Sequence, residues 1–280
     1  MRIKVVLMLL LLTVTVNAIS EKSVRFYVKK YIEKKTHSPV QNIETLSSYP
    51  IAGTHGWRVH FLSMQIKMKM GKVYKKRQYN KVVFTKGKKI AFSLRNSKNQ
   101  NYAQILKPKV PFSAYDDEHL LVGNSTAKHR LLVMSDPSCP YCQEIIPPLI
   151  DAVKANPNLF ALYNYHIPLS RIHPASRTIA KVMYILQKRG DIENYKKLYH
   201  LVLNPKETSV DRILKVIKKS TGLSFTEQQI STAEIIDALE EDRQMKRHLM
   251  VTGTPTIFVD DIWDPSRFLY KRYLPRRGRR

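Results

Sequence analysis

The sequence predicts two unlike domains: a small α+β domain, with one helix on an antiparallel meander, and a larger α/β domain. Three observations predict this. Residues 21–36 repeat apolar side chains at helical spacing and are followed by strict polar–apolar alternation. Beyond residue 111 the pattern changes to short apolar strands interleaved with helical stretches. Charge divides at the same place: residues 19–110 hold 21 Lys and Arg against 3 Asp and Glu, whereas residues 111–280 hold 25 against 19. Of the formal net charge of +26, the first part therefore carries +18 and the second +6.

The N-terminus precedes both domains. Arg2 and Lys4 lead into an apolar run from Val5 to Val16, and Val16-Asn17-Ala18 supplies a cleavage site with small or short residues. That pattern is expected of a secretory signal peptide, residues 1–18, cleaved after Ala18. The run is shorter than the about 17–25 residues that a spanning helix needs. No later stretch is apolar and long enough to cross a bilayer. The mature chain is thus expected outside the cytoplasm, where thiols can be oxidised.

In the first domain, residues 19–95, Val24, Tyr27, Val28, Tyr31 and Ile32 place one amphipathic helix over Glu21 to Thr36. From Leu62 to Met70 the chain alternates, with Leu62, Met64, Ile66, Met68 and Met70 on one face and Ser63, Gln65, Lys67 and Lys69 on the other. The apolar stripe is expected to be half-buried under the helix. Gly71 turns the chain into a second strand, Val73 to Thr85, and Lys86-Gly87-Lys88 turns it into a third, Lys89 to Leu94. Residues 96–111 are polar, contain Lys107-Pro108-Lys109, and are expected to form a linker.

The second domain, residues 112–275, is expected to contain strands at Arg130 to Ser135, Leu159 to Ile167 and Thr256 to Asp260. A helix follows Cys139-Pro140. Four helical stretches, Pro174 to Lys188, Ile192 to Leu203, Val210 to Ser220 and Thr226 to Leu249, fill an insertion at about 174–249. Pro255 has no N–H to give a ladder, so it should begin its strand, and it is a candidate for a cis bond.

Both cysteines of the chain, Cys139 and Cys142, stand two residues apart in Asp136-Pro137-Ser138-Cys139-Pro140-Tyr141-Cys142. A disulfide there closes a very short loop and stabilises little, which leaves chemistry or metal binding. At the first turn of a helix, Cys139 faces unpaired backbone N–H groups and the positive end of the macrodipole. That environment in Cys-x-x-Cys motifs brings a thiol from about 8.5 to between about 3.5 and 7.5, and the thiolate is the nucleophile in disulfide exchange. Cys139 is expected to attack and Cys142, one turn further in, to resolve the mixed disulfide. Pro140 suits the first helical turn, and Pro147 is expected to kink the helix.

Cys139-Pro140-Tyr141-Cys142 after a strand, Pro147 in the next helix and Gly253-Thr254-Pro255-Thr256 before a late strand resemble the thioredoxin superfamily. The export signal, the helical insertion and the additional N-terminal domain are similar to bacterial periplasmic Dsb proteins of the DsbG/DsbC type. The resemblance implies a thioredoxin-like catalytic domain, a thiol–disulfide oxidoreductase or isomerase, and an N-terminal dimerisation domain. It also implies a cis Pro255 opposite the cysteines, with the Thr254 backbone pairing with a substrate strand. Pro140 and Tyr141 would form the active-site loop. The implied partners are exported proteins with cysteines, a membrane redox protein that resets the site, and a second copy of the chain. No cofactor is implied. Six residues before Cys139, where thioredoxins carry a buried acid that handles the second thiol's proton, this chain has Val133. Asp136 is expected to cap the helix start, with proton relay for the second thiol as the alternative.

Other uses of these residues are less well supplied. Cys-x-x-Cys is half a zinc site, but no second cysteine pair exists, and His55 and His60, at a suitable spacing, belong to the other domain. His173 is expected to cap a helix and His166 to pack in a strand, so no metal site is expected. The basic first domain lacks any nucleic-acid-binding motif and is expected to face acidic proteins or anionic lipid. The alternative function is a thiol-independent chaperone holding unfolded chains on the Met-rich sheet. The tail Arg276-Arg277-Gly278-Arg279-Arg280 is expected to be solvated.

Overall fold

The computed structural model describes residues 18–70 and 73–275. The expected signal segment up to Asn17, the turn at Gly71 and the tail 276–280 lie outside the described residues. The chain forms two compact units that divide between Ala103 and Gln104, inside the segment expected to be a linker.

In the first unit, helix α1 (Glu21–Thr36) starts at Ser20, whose hydroxyl accepts the N–H of Ser23, and ends at His37, which has φ 51°. Val24, Val28 and Ile32, a turn apart, form its buried stripe and pack on Leu62, Met64, Ile66 and Val83. Each such side chain taken fully out of water contributes about 1.5–3 kcal/mol. Tyr31 stacks on Phe92 at the margin of the stripe, with ring centroids 4.1 Å apart.

Beneath α1 lies an antiparallel sheet in the order β1 (Val40–Pro50), β2 (Arg58–Met70), β3 (Val73–Lys86) and β4 (Lys89–Ala91). Strand β1 was not predicted, because its polar sequence and two register shifts, with Asn42 at φ 46°, break any alternation. The Met stripe departs from expectation at its far end. Leu62, Met64 and Ile66 are buried, but Met68 is 37% exposed because α1 and its core reach no further than Ile66. The third strand ends at Ala91 rather than Leu94.

The expected linker is not featureless. Arg95 and Asn101 form an isolated bridge, the Asn96 side chain accepts the N–H groups of Lys98 and Gln100, and α2 (Tyr102–Ile105) follows. Val110 is buried and donates its N–H to the carbonyl of Asp261.

The second unit is built on a sheet in the order β5-β7-β6-β8-β9: β5 (Leu120–Gly123), β6 (His129–Ser135), β7 (Phe160–His166), β8 (Thr256–Val259) and β9 (Ile262–Asp264). Strands β6 and β7 are parallel and the other pairs antiparallel. Central β6 is covered on both faces: Leu131 and Val133 join the larger core, Leu132 and Met134 the smaller. This explains why its sequence is a continuous apolar run. Gly123 fits β5 where no other residue can. Its φ is +95°, and a Cβ would lie 2.1 Å from the Phe160 carbonyl oxygen.

Helix α3 (Pro140–Lys154) leaves β6 and carries Pro147 and Pro148 within it. Between β7 and β8 the chain forms α4 (Ser176–Lys188), α5 (Ile192–Lys197), α6 (Val210–Thr221) and α7 (Ala233–His248). The last begins later than the expected Thr226. Thr226 instead opens a separate turn, its N–H held by Gln229 Oε1, and Thr232 caps the helix proper by accepting the N–H of Ile235. The second stretch ends early for a similar reason: α5 tightens into a 3₁₀ turn at Leu198–His200. No helix among the described residues is long and apolar enough to cross a membrane.

Candidate active site

The site forms where β6 passes into α3 and the segment before β8 comes alongside. Cys139 occupies the position just before α3, with extended backbone, and its carbonyl accepts the N–H groups of Cys142 and Gln143. Pro140 takes the first helical position, where its missing N–H forfeits nothing. Tyr141 is exposed, with the Arg267 guanidinium 5.6 Å from its ring centre. Both thiols are free. Cys139 is 6% exposed and Cys142 completely buried.

The Thr254–Pro255 bond is cis. Cys139 Sγ lies 3.4 Å from the Thr254 carbonyl oxygen, so the structure brings together Cys139, Cys142, Thr254 and Pro255 across 115 residues of sequence. Thr256 secures the turn by donating its hydroxyl to the Gly253 carbonyl at 2.8 Å.

The electrostatics of the two thiols are opposed. A hydrogen bond from the Cys142 thiol is the largest influence on Cys139. Burial opposes it, the Thr254 side chain and the backbone N–H groups of Cys142 and Tyr141 add to it, and the thiol is held down to about 5. Burial pushes Cys142 well above the ordinary thiol range, and the charge on Cys139 pushes it further. At neutral pH the pair is one exposed-side thiolate backed by one protonated thiol. Alkylation of the native protein by iodoacetamide is therefore expected to follow a single group with a midpoint near pH 5, modifying Cys139 alone. Peptide mapping that finds equal modification of Cys142 at pH 5–6 would overturn this assignment.

Asp136 does not cap α3. Its carboxylate is fully buried: Oδ1 accepts the Ser138 N–H at 2.9 Å, while Oδ2 accepts the Leu169 N–H at 3.0 Å and faces His173 Nδ1 at 2.8 Å. Its own N–H donates to Cys142 Sγ at 3.4 Å. His173, expected to cap α4, is taken by this carboxylate instead, and Ala175 precedes α4 without a side-chain cap. The Asp136–His173 pair was missed. Its one signal in the sequence was a short acid between a strand and the cysteines, which equally suits a cap. A groove of about 400 Å³ opens beside Pro140 and His173, bounded by Ile179, Leu201, Leu203 and Pro205.

A second polar cluster lies behind the sheet. Buried Asp242 of α7 accepts from His119 Nε2 at 3.1 Å and from the His166 N–H at 2.8 Å, and His166 Nε2 lies 3.3 Å from the Tyr195 hydroxyl. Ser135 bridges Asn164 at 2.9 Å and the Tyr199 hydroxyl at 2.7 Å. His60, one of the two histidines with metal-like spacing, is engaged by Ser48 and Thr85, and His55 is exposed. Among the described residues no group of three or more His, Cys, Asp or Glu is arranged to hold a metal.

Comparison with known proteins places this geometry in a family. No curated protein matches the chain. Among solved structures, oxidised BdbD from Bacillus subtilis is 14% identical, over 59% of this chain and 92% of its own, with a TM-score of 0.47. ScsC of Proteus mirabilis in a compact conformation is 22% identical, over 55% and 74%, with a TM-score of 0.45. A periplasmic thioredoxin-like protein from Salmonella enterica serovar Typhimurium is 18% identical, over 58% and 95%, with a TM-score of 0.44. The DSBA-like thioredoxin domain matches residues 130–269, which run from β6 through both cysteines to the 3₁₀ turn after β9. The chain belongs to the DSBA-like thioredoxin domain family.

Proposed function

We propose that the protein is an exported thiol–disulfide oxidoreductase that acts on the cysteines of other exported proteins. The observation that carries this reading is the opposed pair of thiols, with Cys139 held near 5 and Cys142 buried behind it. The Cys139 thiolate attacks one sulfur of a substrate disulfide, and the other sulfur leaves as a thiolate that solvent protonates. Cys142 then loses its proton and attacks Cys139, expelling the second substrate sulfur and leaving the Cys139–Cys142 disulfide. In the oxidising direction the same steps run backwards. Thr254 and Pro255 would align a substrate strand beside the sulfur, Pro140 and Tyr141 would form the adjoining surface, and the groove beside His173 would take a neighbouring apolar side chain.

A stabilised Cys139 thiolate favours the reduced form, which makes the disulfide an oxidant. The reduction potential against glutathione is therefore expected to lie above about −180 mV, toward the oxidising end of the about −270 to −120 mV that such proteins span. A value near about −270 mV would replace this reading with a reductase. A membrane redox protein would reset the disulfide in the cell. We further propose that residues 19–95 join two copies of the chain. Light scattering should then give a dimer for the mature chain and a monomer for the second unit alone.

A further inference from the structure

The far end of the first unit's sheet has no evident structural use. Strand β1 accompanies β2 only to Ile66, and β4 accompanies β3 only from Phe84 to Lys86. Lys67 still gives its N–H to the Pro39 carbonyl; beyond it, Met68–Met70 and Val73–Lys75 pair only with each other, a two-stranded ribbon about 10 Å long at the usual rise per residue. Such a hairpin is marginal by itself, since it has no face to bury.

Its composition makes the isolation more costly. Lys69 and Lys75 stand on this ribbon and Lys67, Lys76 and Arg77 at its base, and the sequence from Thr45 to Tyr115 contains 15 Lys and Arg and no Asp or Glu. Lys67 and Lys76 are directly opposed across the ladder, a like-charge pairing that destabilises a sheet. Lys67 lies 4.8 Å from the Tyr74 ring centre, which softens the repulsion without neutralising it. The same ribbon exposes apolar surface: Val73 is 60% exposed, Tyr74 55% and Met68 37%.

We infer that the β2–β3 ribbon is a docking element for the surface of an anionic lipid bilayer. A charged plane can face all the cations of a ribbon at once, and each Lys or Arg near such a surface gains from it. The apolar residues toward the tip enter the boundary between headgroups and acyl chains, while the lysines extend their ammonium groups to the phosphates. This use accounts for both features, the cations and the exposed Val73 and Met68. A second copy of the ribbon fits poorly, because like charges would meet without partners. A nucleic acid would use the cations but has no need of the apolar tip. The inference is independent of the redox chemistry, so either can fail alone.

The test is flotation of the mature chain with phosphatidylcholine vesicles, with and without phosphatidylglycerol, at low and high salt. Binding is expected only with phosphatidylglycerol and should weaken with salt. Removing Lys67, Lys75, Lys76 and Arg77 together as glutamines should lower partition about fivefold per cation, a few hundredfold in all, with Cys139 alkylation unchanged. Val73→Ser, a single exposed change that keeps the test open if the multiple variant misfolds, should weaken binding without altering its salt dependence. Absence of binding to anionic vesicles, or binding indifferent to all these changes, overturns the inference. So does tighter, equally ribbon-dependent binding to duplex DNA.

Discussion

A Cys142→Ser protein is expected to accumulate as mixed disulfides with its substrates, visible as high-mass species on non-reducing gels, whereas Cys139→Ser should form none. The reason is positional. Cys139 lies at the mouth of α3 with its thiolate stabilised, and it can attack an incoming disulfide without help from Cys142 beyond one hydrogen bond. The release step, by contrast, belongs to Cys142. A sulfur held beside Cys139 acts at an effective concentration that reaches about 10⁵ M or more in well-oriented pairs. Millimolar thiol in solution cannot replace it, so release should slow at least about a thousandfold. Serine is close to cysteine in size, and the Asp136 N–H that faces Cys142 Sγ can donate to the serine hydroxyl, which offsets the cost of burying it. Trapping by Cys139→Ser but not by Cys142→Ser would reverse the two roles.

Asp242→Ala is expected to destabilise the second unit by about 3–5 kcal/mol, as removing one partner of a buried ionic contact does. The carboxylate is 2% exposed and holds β7 through the His166 N–H and the segment before β5 through His119. Burial works to raise the Asp242 carboxyl, but hydrogen bonds from His119 and His166 overcome it and bring it below the usual range. Burial likewise works to lower His119, and its bonds to Asp242 and Asp116 overcome that and raise it. A lowered carboxyl contributes stability that is present above its unfolded value and lost as pH falls through the folded one. A raised imidazole contributes stability that is present below its unfolded value and lost as pH rises through the folded one. The difference between wild type and Asp242→Ala should thus be largest between about pH 4 and 6.5 and shrink at pH 8. Urea unfolding across that range measures it, and a difference that grows toward pH 8 would remove His119 from the account.

Much of the architecture was legible because it follows from short-range patterns. The continuous apolar run of β6 announces a strand buried on both faces, and the spacing of Val24, Val28 and Ile32 announces the packed face of α1. Cys139 and Cys142 stood out by the weakness of the staple they could form, and the fold brings Thr254 beside Cys139. What stayed hidden depends on distant partners. Strand β1 is polar and bulged, and β5 spans only Leu120–Gly123, so each exists by pairing with a neighbour rather than by its own pattern. Asp136 and Asp242 look like surface acids in the sequence. Only the arrival of Leu169 and His173 at one, and of His119 and His166 at the other, turns them into buried acceptors.

The pairing of β6 with β8, and with it the contact of Cys139 with Thr254, has a consequence for the timing of synthesis. Met134 pairs with Thr256, so this central rung closes a loop that contains α3, β7 and every helix from α4 to α7. Loop-closure entropy grows only slowly with length, so the loop is tolerable at equilibrium, but contacts of such high sequence separation form late in folding. A chain emerging from N- to C-terminus therefore presents both cysteines well before the strand that flanks them exists. During that interval the pair is an ordinary, unsheltered dithiol, open to oxidants and to passing thiols alike. The contact of Cys139 with Thr254 exists only when the last strands have joined the sheet.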